Sequence, residues 1–236
     1  MSRFILVPMM LAATLAVTVA GCNRFPDLSI QVAANLAPDR TDCGVTDDQD
    51  AVLAAGVIDR AAPSVFWSYV ITPLVESYIV SNALEFQGQQ GNMQITAFEI
   101  TIVLPDGTLA ELGEGVPNPY KVQTSAVIPA NQTPGSVSAR ATFAVAIPDT
   151  FYPAVLSIPE TTGFDSFAID IRAQGTTLGG FSQTSPAFRW PINLCDGCLG
   201  VVCDAPAELG DSAGCYAGQD IWGYCAEIVV PDAFSP

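Results

Sequence analysis

The chain has 236 residues, half of them hydrophobic and only 14% charged, with 24 acidic against 8 basic side chains and a formal net charge of −16. That balance excludes a nucleic-acid partner, because phosphate binding needs clustered cations and Lys121 is the single lysine. There is no histidine, which excludes Ser-His-Asp and Cys-His triads, histidine zinc sites and an imidazole base.

The first segment reads as an export signal. Arg3 supplies the positive start, Phe4 to Ala20 form an apolar run, and Ala20-Gly21 give the small residues of a cleavage site. The run is short for a membrane span, which takes about 20 apolar residues, and Asn23-Arg24-Phe25-Pro26 is not a stop-transfer flank. Val19-Ala20-Gly21-Cys22 resembles the lipobox of bacterial lipoproteins. The resemblance implies cleavage before Cys22, a diacylglyceryl group on its thiol and an acyl chain such as palmitate on its new amino terminus. Asn23 rather than Asp after the cysteine implies an outer-membrane destination within the cell envelope. Each buried methylene contributes about 0.8 kcal/mol, so two or three chains anchor a protein durably. Losing residues 1–21 removes one cation, Arg3, and no acid, so the charge becomes −17. Anionic headgroups would repel such a domain, and the acyl chains alone are expected to touch the membrane.

Seven cysteines is an odd number for an exported chain. Lipid on Cys22 leaves Cys43, Cys195, Cys198, Cys203, Cys215 and Cys225 for disulfides in an oxidising compartment.

Along the chain, 22–63 is acidic and Pro-punctuated, a linker with a first strand over Leu28 to Asn35. A short helix is predicted over Asp47 to Ala55, stopped by Gly56. From 64 to 194 the period is two, the mark of strands with one buried face. Weaker examples run over Val65 to Ile71, Tyr78 to Phe86 and Val122 to Ile128. Phe98, Ile100, Ile102 and Leu104 point one way, and Pro105-Asp106-Gly107 turns the chain toward a return strand near Leu109 to Leu112. Val137, Ala139, Ala141, Phe143, Val145 and Ile147 predict one long strand. Phe167, Ile169, Ile171 and Ala173 predict another, and Phe188, Trp190, Ile192 and Leu194 the last. Pro191 within it argues for an edge, since proline cannot donate to a ladder. About eight strands without crossover helices make the fold class all-β, an antiparallel β-sandwich of immunoglobulin-like type.

From 195 to 236 five cysteines sit among glycines, a small C-terminal extension stapled by disulfides rather than by a core. Five cannot all pair internally, so one should reach Cys43, and Cys195, ending the last strand, is the expected partner. Spacing alone leaves the connectivity open. Tyr69 to Leu84, the hairpin at Leu104 to Gly107, Trp190-Pro-Ile-Asn-Leu-Cys-Asp-Gly-Cys-Leu199 and Gly214-Cys-Tyr-Ala-Gly-Gln-Asp220 resemble the cysteine-tailed lipoproteins abundant in myxobacterial-type genomes. That resemblance implies location and fold, with no activity attached.

The chemistry-bearing patterns are weak. Cys195-Asp-Gly-Cys198 has CxxC spacing, but a redox enzyme would set it between a strand and a helix in a βαβ unit. Thiolates of Cys195, Cys198, Cys203 and Cys215 suit zinc or an iron–sulfur cluster, although outside the cytoplasm disulfides are the better reading, so neither metal nor cofactor is expected. Asp39, Asp42, Asp47, Asp48 and Asp50 lack EF-hand spacing and read as a solvated linker. Asn131-Gln-Thr133 fits a glycosylation sequon of little weight in a bacterial context. Tyr216, Trp222 and Tyr224 either pack against the disulfides or form a recognition patch for an envelope protein or glycan. The expectation is a non-enzymatic, lipid-anchored envelope protein with a structural, adhesive or accessory role. A peptide- or glycan-binding module is the alternative, and a hydrolase using paired carboxylates comes third.

Overall fold

The computed structural model describes residues 29–39, 43–47, 51–62, 68–80, 91–203, 218–221 and 224–228, and most period-two segments become strands there. Val65 to Ile71 does so over Tyr69–Ile71, with 65–67 outside the described residues, whereas Tyr78 to Phe86 makes only an isolated bridge at Val80, with 81–86 outside them. Strand β1 (Ile30–Asn35) turns Ile30, Val32 and Ala34 inward and pairs antiparallel with β4 (Pro73–Ser77), which pairs in turn with β7 (Ser138–Ala141). The larger sheet has the order β2 (Gly56–Asp59), β11 (Phe188–Cys195), β9 (Ser166–Thr177), β5 (Met93–Val103) and β6 (Tyr120–Ile128). Strand β10 (Ser182–Thr184) folds back on β9. Two further pairs are β3 (Tyr69–Ile71) with β8 (Ala144–Ile147) and β12 (Gly200–Cys203) with β13 (Tyr224–Ile228). The chain is thus mostly β-sheet and chiefly antiparallel. The parallel pairs are β2 with β11 and β12 with β13, in which long connections rather than hairpins set the direction.

Ile30, Val32 and Val75 of the smaller sheet and Phe98, Ile100, Ile171 and Trp190 of the larger belong to one apolar cluster, so the sheets share an interior. Each large side chain withdrawn from water there contributes about 1.5–3 kcal/mol. Helices α1 (Tyr152–Leu156) and α2 (Ile158–Thr162) bury Tyr152, Val155 and Ile158 against it. Each has a proline as its second residue, Pro153 and Pro159, whose missing N–H is no loss in a first turn. Gly163, at φ 79°, ends α2 in the left-handed region.

β5 shows how the sequence keeps its apolar face inward over eleven residues. Met93 and Ile95 are buried, then Phe98, Ile100 and Ile102, so the phase changes between them. A bulge at Thr96 gives β5 one extra residue against β9, while against β6 the extra residue lies on β6 between Gln123 and Ala126, and both halves of β5 return to the same core. Beyond Val103 the turn forms as expected, with the Gly107 N–H on the Leu104 carbonyl at 2.9 Å and φ 86° at Gly107. The return is a single bridge, Val103 to Leu109, rather than a strand. Asn118 replaces it as a partner: its Oδ1 accepts from Ile102 N at 2.9 Å and its Nδ2 donates to the Ile102 and Ala110 carbonyls at 2.8 and 2.9 Å.

Two expectations are corrected. The long strand over 137–147 is two strands, β7 and β8, because the chain leaves one sheet for another at Thr142-Phe143. The phase flips there, so Phe143 is exposed while Ala144 and Ala146 are buried. Its neighbour breaks opposite, between β3 and β4 at Thr72, whose N–H is held by Asn35 Oδ1 at 2.8 Å. The helix over 47–55 is not borne out beyond Ala51, a 3-10 residue next to 48–50, which lie outside the described residues: Val52 bridges to Leu36 and Gly56 opens β2. Pairing with the apolar Leu36 overrides the weak local propensity.

Pro191 does not mark an edge strand as expected, since β11 runs between β2 and β9, yet its nitrogen still meets no ladder. Leu194 N donates across to Asp165, toward the β9 side, so by alternation the proline nitrogen faces the opposite side. Pairing with β2 begins only at Ile192, leaving that position without a ladder to interrupt.

Candidate functional site

Four distant segments converge where β2 ends: β2 itself, β3, the end of β11 and the tail residues Gly218–Asp220. Asp220 N donates to the Val57 carbonyl, and Asp59 N to that of Gly218, both at 2.9 Å, so the tail docks alongside β2. Gln219 is buried, its Oε1 accepting from Val70 N at 3.1 Å and its Nε2 donating to the Ser68 carbonyl.

Within this junction a polar chain runs through the core. The Trp190 indole N–H donates to the Tyr69 hydroxyl at 3.0 Å, and that hydroxyl donates to Asp220 Oδ1 at 2.8 Å. The same carboxylate oxygen accepts from Val57 N at 2.9 Å. Burial pushes the Asp220 carboxyl up to about 6, against the opposing pull of the Val57 and Tyr69 hydrogen bonds. Burial first, then the charge of Asp220, also raises the Tyr69 phenol. Gly56 makes room: a Cβ there would lie 2.2 Å from the Tyr69 hydroxyl and 2.8 Å from the Trp190 indole nitrogen.

A second buried carboxylate organises the neighbouring loop. Asp59 Oδ1 accepts from Ala61 N at 3.0 Å and Gly197 N at 2.7 Å, and Oδ2 from Leu199 N at 2.7 Å. Cys195 and Cys198 are joined as a disulfide with Cα atoms 5.9 Å apart, and Gly197, at φ 77°, permits the tight loop. Asp59 and the two sulfurs lie within 4.8 Å of one another. Bonded to each other, the sulfurs offer no thiolate pair to zinc or a cluster, which overturns the four-cysteine metal set as read from spacing.

The disulfide also corrects the expected Cys43–Cys195 pairing. Cys43 is itself disulfide-bonded, but Cys195 is taken by Cys198, three residues on. The loop that joins them is pinned by Asp59, which accepts from Gly197 N and Leu199 N. Cys203 lies in β12 and Cys225 in β13. Cys22 and Cys215 lie outside the described residues, as do Tyr216 and Trp222, while Tyr224 opens β13.

Of the acidic stretch, Asp47 is exposed, as a solvated linker would have it, and also braces the sheet. Its oxygens accept from Ala141 N at 2.7 Å and the Arg140 guanidinium at 2.8 Å, holding β7. Asp39 closes a small loop, its N–H on the Gly44 carbonyl, and Asp42, Asp48 and Asp50 lie outside the described residues. Asn131 of the sequon is buried, its amide donating to the Ser77 carbonyl at 2.8 Å and accepting from Ser138 at 2.7 Å. Its side chain is a structural strut.

An open groove of about 610 Å³ lies between the turn after β5 and α1–α2, lined by Leu104, Thr108, Leu109, Glu111, Ile158 and Thr161 among others. Glu111 is the single carboxylate among its described lining residues. Nothing in the sequence marks this groove, because its walls come from segments about 50 residues apart that meet only in the fold.

No protein-family model and no curated protein matches this chain. Among solved structures it is similar to the X-ray structure of a structural genomics consortium target, with 10% identity over 53% of this chain and 71% of the other at a TM-score of 0.25. It is also similar to a putative ApaA protein from Bordetella pertussis, with 10% identity over 56% of this chain and 82% of that one at a TM-score of 0.24.

Proposed function

We propose that this is a lipid-anchored lipoprotein of the cell envelope, held at the outer membrane through Cys22, with a non-enzymatic structural, adhesive or accessory role. The observation that carries it is Val19-Ala20-Gly21-Cys22 at the end of an apolar run. Disulfides at Cys43 and Cys195–Cys198 support it, since they belong to oxidising compartments beyond the inner membrane. In this reading the body is an immunoglobulin-like sandwich, the three-stranded sheet on β1-β4-β7 covering the larger one over a common core. The lack of histidine and the lone Glu111 in the groove favour a role without catalysis.

Expression in a bacterial host, fractionation and intact mass of the product test the anchor. Wild type should sediment with membranes and carry a mass gain of two or three acyl chains after loss of residues 1–21. Cys22→Ala should lose both the gain and the membrane fraction. An unmodified wild-type Cys22, or an unchanged distribution of the variant, sinks the reading.

A second reading, capture of a peptide or glycan, is favoured by the groove rather than by the tail aromatics first suspected. Its hydroxyls and the exposed Leu109 suit a short polar ligand with an apolar face. Leu109→Asp abolishing retention of peptidoglycan fragments or envelope peptides supports it, and unchanged retention removes the groove from consideration.

A further inference from the structure

The acidic side chains are not spread evenly over this molecule. β1 starts at Ile30, where Tyr78 N donates to the Ser29 carbonyl and the Ser29 hydroxyl to Gln183 of β10, each at 2.9 Å. The same end carries the start of β5, the end of β6 and the β9–β10 turn: Leu178 N donates to Asn92, and Val80 bridges to Asn131. Its described residues are Ser29, 78–80, 91–93, 128–138 and 177–182, and none of them is charged; at its margin the Glu76 carboxylate accepts from the Tyr78 hydroxyl at 2.7 Å. In a chain of net charge −16 that is a marked exclusion. The acids Asp106, Glu111, Glu114, Asp165 and Asp196 gather beyond the far end of the larger sheet, past Val103 and Cys195 and ahead of Ser166.

The uncharged end also carries the two most exposed large apolar side chains among the described residues. Phe181 is 71% exposed and Leu178 54%, and Val137, just ahead of β7 at the same end, 45%. The β9–β10 turn that presents the first two is fixed. Phe181 N donates to the Thr177 hydroxyl at 3.1 Å, Thr177 N to the Phe181 carbonyl at 2.9 Å, and Gly180 takes φ 88°. A rigid turn that holds Leu and Phe outward has the form of a contact surface rather than of a packing fault.

The length of chain ahead of β1 says what lies opposite. Ile30 is eight residues on from Cys22. At about 3.6 Å per residue the start of β1 stays within about 29 Å of the lipidated residue. We propose that this uncharged end rests on the bilayer interface, with Leu178 and Phe181 inserted among the headgroups and upper acyl chains. This rests on lipidation of Cys22, and it revises the expectation that acyl chains alone touch the membrane. The repulsion expected of the net charge is avoided by turning the acidic end away.

The test uses the full lipidated protein reconstituted in vesicles of phosphatidylethanolamine with a minor share of phosphatidylglycerol, with or without brominated acyl chains. Phe181→Trp places a fluorophore at the turn, and Leu109→Trp a control at the far end. Relative to unsubstituted protein, the added emission of Phe181→Trp should be largely lost on bromination, and that of Leu109→Trp retained. Equal responses overturn the proposal. So does a Phe181→Trp signal shielded from acrylamide but untouched by bromine, which would place a protein partner or second copy there. Intact mass separates the two levels: a lipidated protein without quenching overturns this contact alone, whereas an unlipidated Cys22 removes the anchor and this proposal with it.

Discussion

The hydroxyl of Tyr69 donates to the carboxylate of Asp220 at 2.8 Å, joining residues 151 positions apart. One is in β3 and the other in the tail, so the C-terminal extension is built into the core rather than appended to it. The same hydroxyl accepts from Trp190, which ties the last long strand into the same contact.

Asp220 should make stability fall with rising pH. Its carboxyl moves from an unfolded value near 3.8 to about 6 on folding, so the folded state holds its proton more tightly. Its contribution is fully present below about pH 4 and is lost as pH rises through about 6, a difference of about 3 kcal/mol. Asn can keep the Val57 and Tyr69 hydrogen bonds and tolerates the φ of 53° at this position. Asp220→Asn should therefore be more stable than wild type at pH 7, with the slope between about pH 4 and 6 flattened. Denaturant unfolding across that range checks it, and a less stable variant at neutral pH would show that the ionised form is the stabilising one.

Tyr69→Phe should destabilise by about 1–3 kcal/mol, because the Trp190 N–H is left without its buried acceptor. Gly56→Ala should cost at least as much, its Cβ falling 2.2 Å from the Tyr69 hydroxyl. Combining the two removes the clashing oxygen, so the double variant should be more stable than the sum of the single losses implies. Additive losses in chemical unfolding would show that the contact at Gly56 is relieved elsewhere.

Loss of Asp59 should harm the protein more than loss of the neighbouring disulfide. Asp59→Ala strands three N–H groups, those of Ala61, Gly197 and Leu199, at about 1–3 kcal/mol for each that stays buried. Cys195→Ser with Cys198→Ser opens a loop with a sequence separation of only 3, worth about 2 kcal/mol by chain entropy. Melting temperatures of the two variants settle the order.

Deleting Thr96 should be tolerated, since Met93, Ile95, Phe98 and Ile100 then alternate on one face without a bulge and the ladder with β9 becomes regular. Loss of β-sheet circular dichroism in the deletion would show that the bulge itself is required. Thr96→Ala, which keeps the residue count, should fold with wild-type β-sheet circular dichroism.

These tests fall where sequence and fold part company. Strands β5, β9 and β11 are legible in the sequence because each has a one-sided apolar alternation, and the turn at Pro105-Asp106-Gly107 has its own local chemistry. The break at Phe143 is hidden because Val137 to Ile147 keeps period two across a change of sheet, and small alanines on the other face fill either role. The junction at Asp220 is illegible for another reason. Gln219-Asp220 is an ordinary polar pair in a glycine-rich tail, and only the long-range fold brings it onto β2. Cysteine parity indicates disulfides but not partners, and Cys195 is joined to Cys198 across the loop that Asp59 pins.

The position of β2 sets a schedule for the chain. A four-residue strand made in the first quarter of the sequence is flanked by β11 and by Gly218–Asp220, which are made last. Contacts of that sequence separation form slowly, and until residue 220 emerges β2 presents an unpaired edge. The edge that β2 shows to the tail is therefore closed only once almost the whole chain is made, and a chain cut short before Gly218 would keep it open.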